Sequence, residues 1–464
     1  MANRTEKEMP EAKRIHMIGI GGSSMSGLAL MMKEKGYEVS GSDRSASHQT
    51  ERLQAEEIRV YHGHAEENVR GAELVVYSAA IGPENPERMA AEKAGIPQLE
   101  RCELIEQLMR GSGYAVCVSG TNGKTTTAAM LAQAFLHAGA DPTVHIGGEF
   151  DFIGGGTKCG TDGGFILEAC EYNSSFLHFS PTIAVITNIT EDHLEYYGTI
   201  ENIEKEFCKF TENLPRDGWC IACGDDVRGR RVCLQAPCRH LTYGLCEEND
   251  LIPAGLVYDQ EGKAEYDAML NGRVIGHFRV GVPGEVNMLN SLAAVAVCYV
   301  KGLRLPLVAK ALASFSGAHR RFEYTGSTDG VRCYTDYGHN PIAITNALKI
   351  AHFRPHREIW SVFQPHTYSR TKYLFEGFLS AFDGADHVLI TDIFAARETD
   401  PGDIRAEMLV EAMRKRGMDA HYTPGFDDAE SYLRSHWQEG DMMISHGCGS
   451  IALFNEQLAE NAIE

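Results

Sequence analysis

The stretch Ser119-Gly120-Thr121-Asn122-Gly123-Lys124-Thr125-Thr126-Thr127 brings two glycines, a lysine and a run of hydroxyl side chains together. An apolar run, Tyr114 to Ser119, precedes it, and a run of helical period, Thr125 to Ala138, follows, so the pattern predicts strand, loop and helix. That is the context a phosphate-binding loop requires. Backbone N–H groups of Gly120, Thr121, Asn122 and Gly123 would cradle a nucleotide's phosphates. Lys124 would neutralise the β and γ phosphates, and the Thr125 hydroxyl, with Thr126 beside it, would ligate Mg²⁺. The loop is the shorter G-x-x-G-K-T variety, because Val118 stands where the longer pattern has its first glycine.

A second glycine turn lies upstream. Gly19-Ile20-Gly21-Gly22-Ser23-Ser24 follows a strand-like run, Ile15 to Ile20, and opens a helix-like run, Met25 to Lys35, with Gly27 near its start and Asp43 beyond the next strand, Tyr37 to Ser40. Such a turn suits a nucleotide diphosphate at a helix N-terminus, although Ser24 occupies the place of the third glycine in G-x-G-x-x-G.

Acids and histidines follow at strand ends. Glu168 and Glu171 close the run Gly164 to Leu167, and Asp192-His193 lies past the run Thr182 to Thr187. Either acid could reach a metal, because ligands collect at the carboxyl edge of an open α/β sheet. Cys220, Cys223, Cys233, Cys238 and His240 superficially suggest zinc, but their gaps do not form paired knuckles, and buried or incidental thiols are the expectation.

The elements that must carry these residues form a chain of 464 residues, enough for roughly three domains at about 150 residues each. After the two glycine turns, Leu251 to Val280 reads as a β meander and Asn287 to Val300 as an apolar helix. Past Arg321, strands at Val331 to Thr335, Glu358 to Phe363, His387 to Thr391 and Met442 to Ser445 alternate with helices from Ile342, Lys372 and Ile404, a separate α/β domain. The expected division is 14–111, 112–318 and 319–464, an α/β chain. A net charge of −21 argues against nucleic acid and anionic membrane surfaces as partners. No apolar run reaches the length of a membrane span and the first residues lack an apolar signal core, so a cytoplasmic protein with reduced thiols is expected. Nothing in the sequence sets the oligomeric state.

These segments, with SGTNGKTTT, EACEYNSSFL, TNITEDHLEYYG, NMLNSLAAVAV, FSGAHRRFE, DYGHNP, VFQPHTYSRTK and HGCGSI, resemble the Mur ligases, ATP-dependent amide-forming enzymes of peptidoglycan synthesis, from His16 to about Phe454. Within the family the likeness is greatest to the branch that adds L-alanine to UDP-N-acetylmuramate. The resemblance implies Rossmann-like first and last domains around a central P-loop ATPase-type domain, and a reaction in which ATP, with Mg²⁺, converts the muramyl carboxylate to an acyl phosphate, which the amine of L-alanine attacks. It implies further that Gly19, Gly21, Gly22, Ser23 and Ser24 hold the diphosphate, with Asp43, His64 and Ser78 near the uridine or sugar. Glu168 and His193 match metal ligands, Asn287 an adenine contact, and Arg321 and Asp336 ATP-site residues. Tyr337, His339 and Arg370 match positions around the amino acid and acyl phosphate. On this basis Lys124, Glu168, His193, His339 and Arg370 are the expected catalytic set.

Some positions depart from the alanine-adding pattern. Asn122 replaces a His, Cys170 an Asp, Val286 a His, Thr367 an Arg and Ser450 an acid. They leave open a ligase that attaches a recycled murein peptide, or a non-catalytic nucleotide sensor. A nicotinamide dehydrogenase built on the first turn would leave Lys124 and the threonines without a task.

Overall fold

The computed structural model describes residues 12–396 and 398–460. The chain divides into two compact units. The first comprises 1–189, 204–252 and 292–311, and the second 190–203, 253–291 and 312–464.

The first unit opens with strands β1 (Arg14–Ile18), β2 (Glu38–Asp43), β3 (Arg59–His62), β4 (Leu74–Tyr77) and β5 (Gln98–Glu100), which form a parallel sheet in the order β3-β2-β1-β4-β5. Its central strand β1 is buried along almost its whole length, the signature of a parallel sheet covered on both faces. The glycine turn after β1, Asp43 at the end of β2, His64 past β3 and Ser78 past β4 therefore share the carboxyl edge of one sheet, where α/β folds place ligands.

Strands β6 (Tyr114–Ser119), β7 (Thr143–Phe150), β8 (Gly155–Lys158), β9 (Gly164–Glu168), β10 (Ile183–Ile186), β11 (Trp219–Cys223) and β12 (Arg239–Tyr243) follow in the order β12-β11-β10-β6-β9-β7-β8, all parallel except the β7–β8 hairpin. The loop after β6, Glu168 at the end of β9 and Thr187-Asn188 after β10 meet at one edge because β6 lies between β9 and β10. The helix Lys124–His137 buries ten of its fourteen residues, among them Met130, Leu131 and Phe135. It is anchored as a core helix while its N-terminus faces the strand ends.

The second unit contains β13 (Leu251–Tyr258), which begins in the first unit, the antiparallel hairpin β14 (Lys263–Leu270) and β15 (Arg273–Pro283), and a six-stranded sheet. That sheet runs β16 (Glu323–Thr328), β17 (Val331–Asp336), β21 (Met442–His446), β18 (Ile359–Phe363), β19 (His387–Ile390) and β20 (Asp419–Tyr422), with only β16 antiparallel to its neighbour. Aromatic and aliphatic side chains fill one face, including Phe363, Phe378, Phe382 and Ile444, and Trp360, Val362, Leu433 and Phe454 fill the other.

The helix expected from Lys372 begins earlier. Tyr368–Tyr373 forms a first segment capped by the Thr367 hydroxyl, and Phe375–Ala381 a second, with Leu374 between them. Thr367 thus serves as a helix cap with a positive φ, 64°. Among the described residues no helix is long and apolar enough to cross a membrane.

Candidate active site

Two glycines shape the loop after β6. Gly123 takes a left-handed conformation, φ 86°, immediately before the helix, and a Cβ on Gly120 would lie 2.1 Å from Thr187 Oγ1. The N–H of Thr121 donates to the Asn188 carbonyl (2.9 Å) and that of Asn122 to Asn188 Oδ1 (3.0 Å), while Thr187 Oγ1 and Asn188 Nδ2 both donate to the Asn122 carbonyl (2.6 and 2.9 Å). Asn122 is therefore braced by the end of β10. The helix N-terminus has no side-chain cap and no acid in its first turn, so its leading N–H groups are directed at whatever occupies the loop.

Lys124 folds back over this loop. Its Nζ donates to the carbonyls of Gly120 (2.5 Å) and Thr121 (3.0 Å) and lies 2.9 and 3.0 Å from the two carboxylate oxygens of buried Glu171. Burial opposes the lysine's charge, but Glu171, with Cys170 and Glu168 adding, holds its pKa above the usual range. Cys170 is a thiol pushed up to about 11, chiefly by burial.

The Thr125 hydroxyl donates to Glu168 Oε1 (2.7 Å), and Glu168 Oε2 accepts the Gly147 N–H (2.7 Å). A hydroxyl and a carboxylate oxygen in contact at a phosphate loop are hard donors of the kind Mg²⁺ takes, with water and phosphate oxygens completing its shell. Thr126 is half-buried in the same turn. His193, the remaining member of the expected metal set, belongs to the second unit.

At the first glycine turn the N–H of Gly21 donates to Asp43 Oδ2 (2.8 Å), and those of Gly19 and Ile20 to the Ser42 carbonyl. Gly22 caps the helix Ser23–Glu34 through its backbone alone. Ser24 in the third-glycine position has a different task. Its hydroxyl contacts His145 Nε2 (2.8 Å) and receives an N–H from Arg101 (3.0 Å). Burial above all, with Arg101 adding, pushes the His145 pKa down to about 3, so this imidazole is neutral. Close helix packing falls to Gly27 instead, where a Cβ would strike Thr157 Oγ1 at 2.1 Å. Ser78 sits beside Gly19, its Oγ 3.1 Å from where a Cβ would stand. His64 contacts Ser42 Oγ (3.0 Å) behind the same edge.

In the second unit, Arg370 is held by Asp192 (3.5 Å) and donates through Nη1 to His366 Nδ1 (3.0 Å). Burial opposes the Asp192 charge, but His193, Arg370 and His339 outweigh it and hold the carboxyl at about 2. His193, in a left-handed conformation (φ 52°), caps the short helix Leu194–Tyr197, with its Nε2 4.0 Å from Asp192. His339 Nδ1 donates to the Tyr337 carbonyl (3.0 Å), which leaves Nε2 as an acceptor. Burial first, and Arg370 second, push its pKa down to about 3.

Asp336 accepts the N–H groups of Phe322 (2.8 Å) and Gly338 (2.7 Å), and its burial raises its pKa against the pull of Arg321. Arg321 is exposed, its guanidinium 5.0 Å from the centre of the Tyr337 ring. Asn287 donates to the Pro283 carbonyl (2.7 Å) and accepts from buried Asn290 (3.3 Å). Asn290 and His366 were not singled out from the sequence. The first lies one helical turn from Asn287 and the second one turn from Arg370, spacing that could have flagged both.

Three cysteines of the group that suggested zinc are core residues, while Cys238 is half-buried. Cys220, Cys223 and Cys233 are buried, and the Cys233 thiol donates to the Cys220 carbonyl. Ser450 accepts an N–H from Gln364 (3.0 Å).

Family models match nearly the whole chain: Mur ligase family, catalytic domain, over residues 14–112; Mur ligase middle domain over 118–298; and Mur ligase, glutamate ligase domain, over 320–449. The chain belongs to the Mur ligase family. This Mur ligase is 42% identical over 450 residues to a UDP-N-acetylmuramate–L-alanine ligase of Acetivibrio thermocellus, covering 97% of the chain and 96% of the relative. It is also 42% identical over 455 residues to the enzyme of that name from Caldanaerobacter subterraneus subsp. tengcongensis, covering 98% and 99%. Among solved structures it is similar to the UDP-N-acetylmuramate-alanine ligase of Thermotoga maritima, with a TM-score of 0.82, 27% identity and coverage of 96% and 98%. A murein peptide ligase from Psychrobacter arcticus, at 21% identity and a TM-score of 0.73, shares the fold. The fold is thus the three-domain α/β architecture of this family.

Proposed function

We propose that this Mur ligase joins L-alanine to the carboxylate of UDP-N-acetylmuramate in peptidoglycan precursor synthesis, using ATP and proceeding through an acyl phosphate. The observation that carries the reading is its likeness, over almost the full length of both chains, to ligases named for that substrate pair. The proposed domains are 14–111 for the UDP sugar, 112–318 for ATP and 319–464 for the amino-acid side.

A carboxylate resists attack by an amine until it carries a good leaving group, and phosphoryl transfer needs placement and charge neutralisation more than covalent help from protein. The loop Gly120 to Thr126 receives the phosphates through its backbone and the helix N-terminus. Lys124 exchanges its Glu171 partner for phosphate charge. Thr125 and Glu168 would hold Mg²⁺, which when bound neutralises charge on the transferring phosphoryl group, and the family resemblance supports His193 as a further ligand. For Asn287, Arg321 and Asp336, residues of the second unit, the family resemblance supports a role toward ATP. Gly19, Gly21, Gly22, Ser23 and Ser24 receive the diphosphate of the UDP sugar, with Asp43, His64 and Ser78 toward the uridine and sugar. Arg370, oriented by Asp192 and His366, faces the negative charge of the acyl phosphate. His339, neutral with Nε2 as acceptor, orients the amine beside Tyr337.

The test is ADP release by the purified protein with ATP, Mg²⁺ and UDP-N-acetylmuramate, comparing L-alanine, glycine, L-serine and a murein tripeptide. The expected result is preference for L-alanine. Preference for the tripeptide would assign the protein to recycling, and no release with any amine would refute ligase activity on these substrates.

A further inference from the structure

Glu87 is a fully buried carboxylate that no step above uses. It lies in the first turn of the helix Pro86–Lys93, behind the edge of the first sheet. Its Oε2 accepts the Ser42 hydroxyl (2.5 Å), and its Oε1 accepts Asn68 Nδ2 (2.5 Å) and, at 3.4 Å, the Ala65 N–H. His16 Nε2 stands 3.7 Å from Oε2, beyond hydrogen-bond distance. Burial opposes ionisation of Glu87, and His16, Ser42 and Asn68 outweigh it, holding the carboxyl at about 2.

The consequence reaches His64. A serine hydroxyl has one proton, and Ser42 gives it to Glu87, so Ser42 Oγ has only lone pairs to offer His64 Nδ1 at 3.0 Å. The other group near Nδ1, Glu87 Oε2 at 3.4 Å, is also an acceptor. Nδ1 must therefore carry a proton, and of the two tautomers the network selects the one that presents Nε2 as an acceptor at the sheet edge, where the His64 side chain is 11% exposed.

We infer that Glu87 and Ser42 are positioning residues that fix the His64 tautomer, so that His64 Nε2 accepts an N–H from the nucleobase and selects uracil, whose N3 carries hydrogen, over cytosine, whose N3 does not. The inference rests on the proposed placement of the uridine diphosphate in this domain. A site built to receive a donor discriminates against a ligand that lacks it, because an acceptor then faces an acceptor.

Two measurements on the full-length protein test it. Long-range ¹H–¹⁵N spectra of the histidine rings, with His64 assigned by its loss in His64→Gln, should show the proton on Nδ1. Calorimetric titration with UDP and with CDP should show a preference for UDP of about tenfold or more. That ratio should fall toward one in Ser42→Ala and Glu87→Gln. A purely structural role would weaken both nucleotides together and leave the ratio unchanged. Should Glu87→Gln fail to fold, Ser42→Ala decides. A proton on Nε2, or an unchanged ratio in Ser42→Ala, overturns the relay while leaving the nucleotide site standing. Failure of the unmodified protein to bind UDP overturns the placement and the relay with it.

Discussion

Lys124 and buried Glu171 form an ion pair at the mouth of the phosphate loop, the ammonium 2.9 and 3.0 Å from the two carboxylate oxygens. The same lysine caps two loop carbonyls, so the loop holds its shape around a charge that phosphate would share. Removal of that charge separates catalysis from sugar binding. Lys124→Ala is expected to lower ADP release by about 10³-fold or more, the scale of losing a transition-state charge contact. Calorimetry should find UDP-N-acetylmuramate affinity within about twofold of the unmodified protein. Equal loss of both would contradict the assignment of the two ligands to different domains.

Glu171→Gln leaves a largely buried lysine without its paired carboxylate. Breaking a pair of this kind typically costs about 3–5 kcal/mol. Thermal unfolding should therefore begin at a lower temperature, and Mg²⁺ with a non-hydrolysable ATP analogue should restore more stability to this variant than to the parent, because phosphate gives Lys124 a partner. An identical ligand-induced shift in both proteins would show that Lys124 does not meet the nucleotide.

The legibility of this site varied with how local its signals were. The strand Tyr114–Ser119 and the helix after it, Lys124–His137, emerge where the pattern places them, because apolar run, glycine loop and helical period agree within thirty residues. Glu168 was legible because it ends a strand beside that loop. Glu87 was not, since Pro86-Glu-Arg reads as a solvated helix start, and only the fold places His16, Ser42 and Asn68 around it. The role of Ser24 was also hidden, because its partners Arg101 and His145 lie 77 and 121 residues away in the chain. The exchange of tasks between Ser24 and Gly27 follows from the close approach of Thr157, which no spacing rule encodes.

Acid titration should expose Glu87. Its folded pKa is lowered from 4.5 to about 2, so the stability it contributes is present above about pH 4.5 and is lost as the pH falls toward 2. In urea unfolding, the difference in stability between the parent and Glu87→Gln should be constant from pH 7 to 5 and shrink from pH 4.5 downward. A difference that grew on acidification would reverse the assigned sign.

His339→Asn should act on the amine side alone. It removes a neutral acceptor whose orientation is set by the Tyr337 carbonyl. The KM for L-alanine is expected to rise about tenfold, the worth of one hydrogen bond, with the KM for ATP unchanged. A rise in the ATP KM of the same size would move His339 to the nucleotide.

The muramyl carboxylate is held to be activated by phosphorylation before the amine attacks it. Supplying UDP-N-acetylmuramate labelled with ¹⁸O in its carboxylate, together with ATP, Mg²⁺ and L-alanine, and reading the released phosphate by ³¹P NMR tests it most directly. One ¹⁸O carried into each phosphate, in step with formation of the alanyl amide, is the predicted result; unlabelled phosphate accompanying amide formation would contradict the acyl-phosphate route.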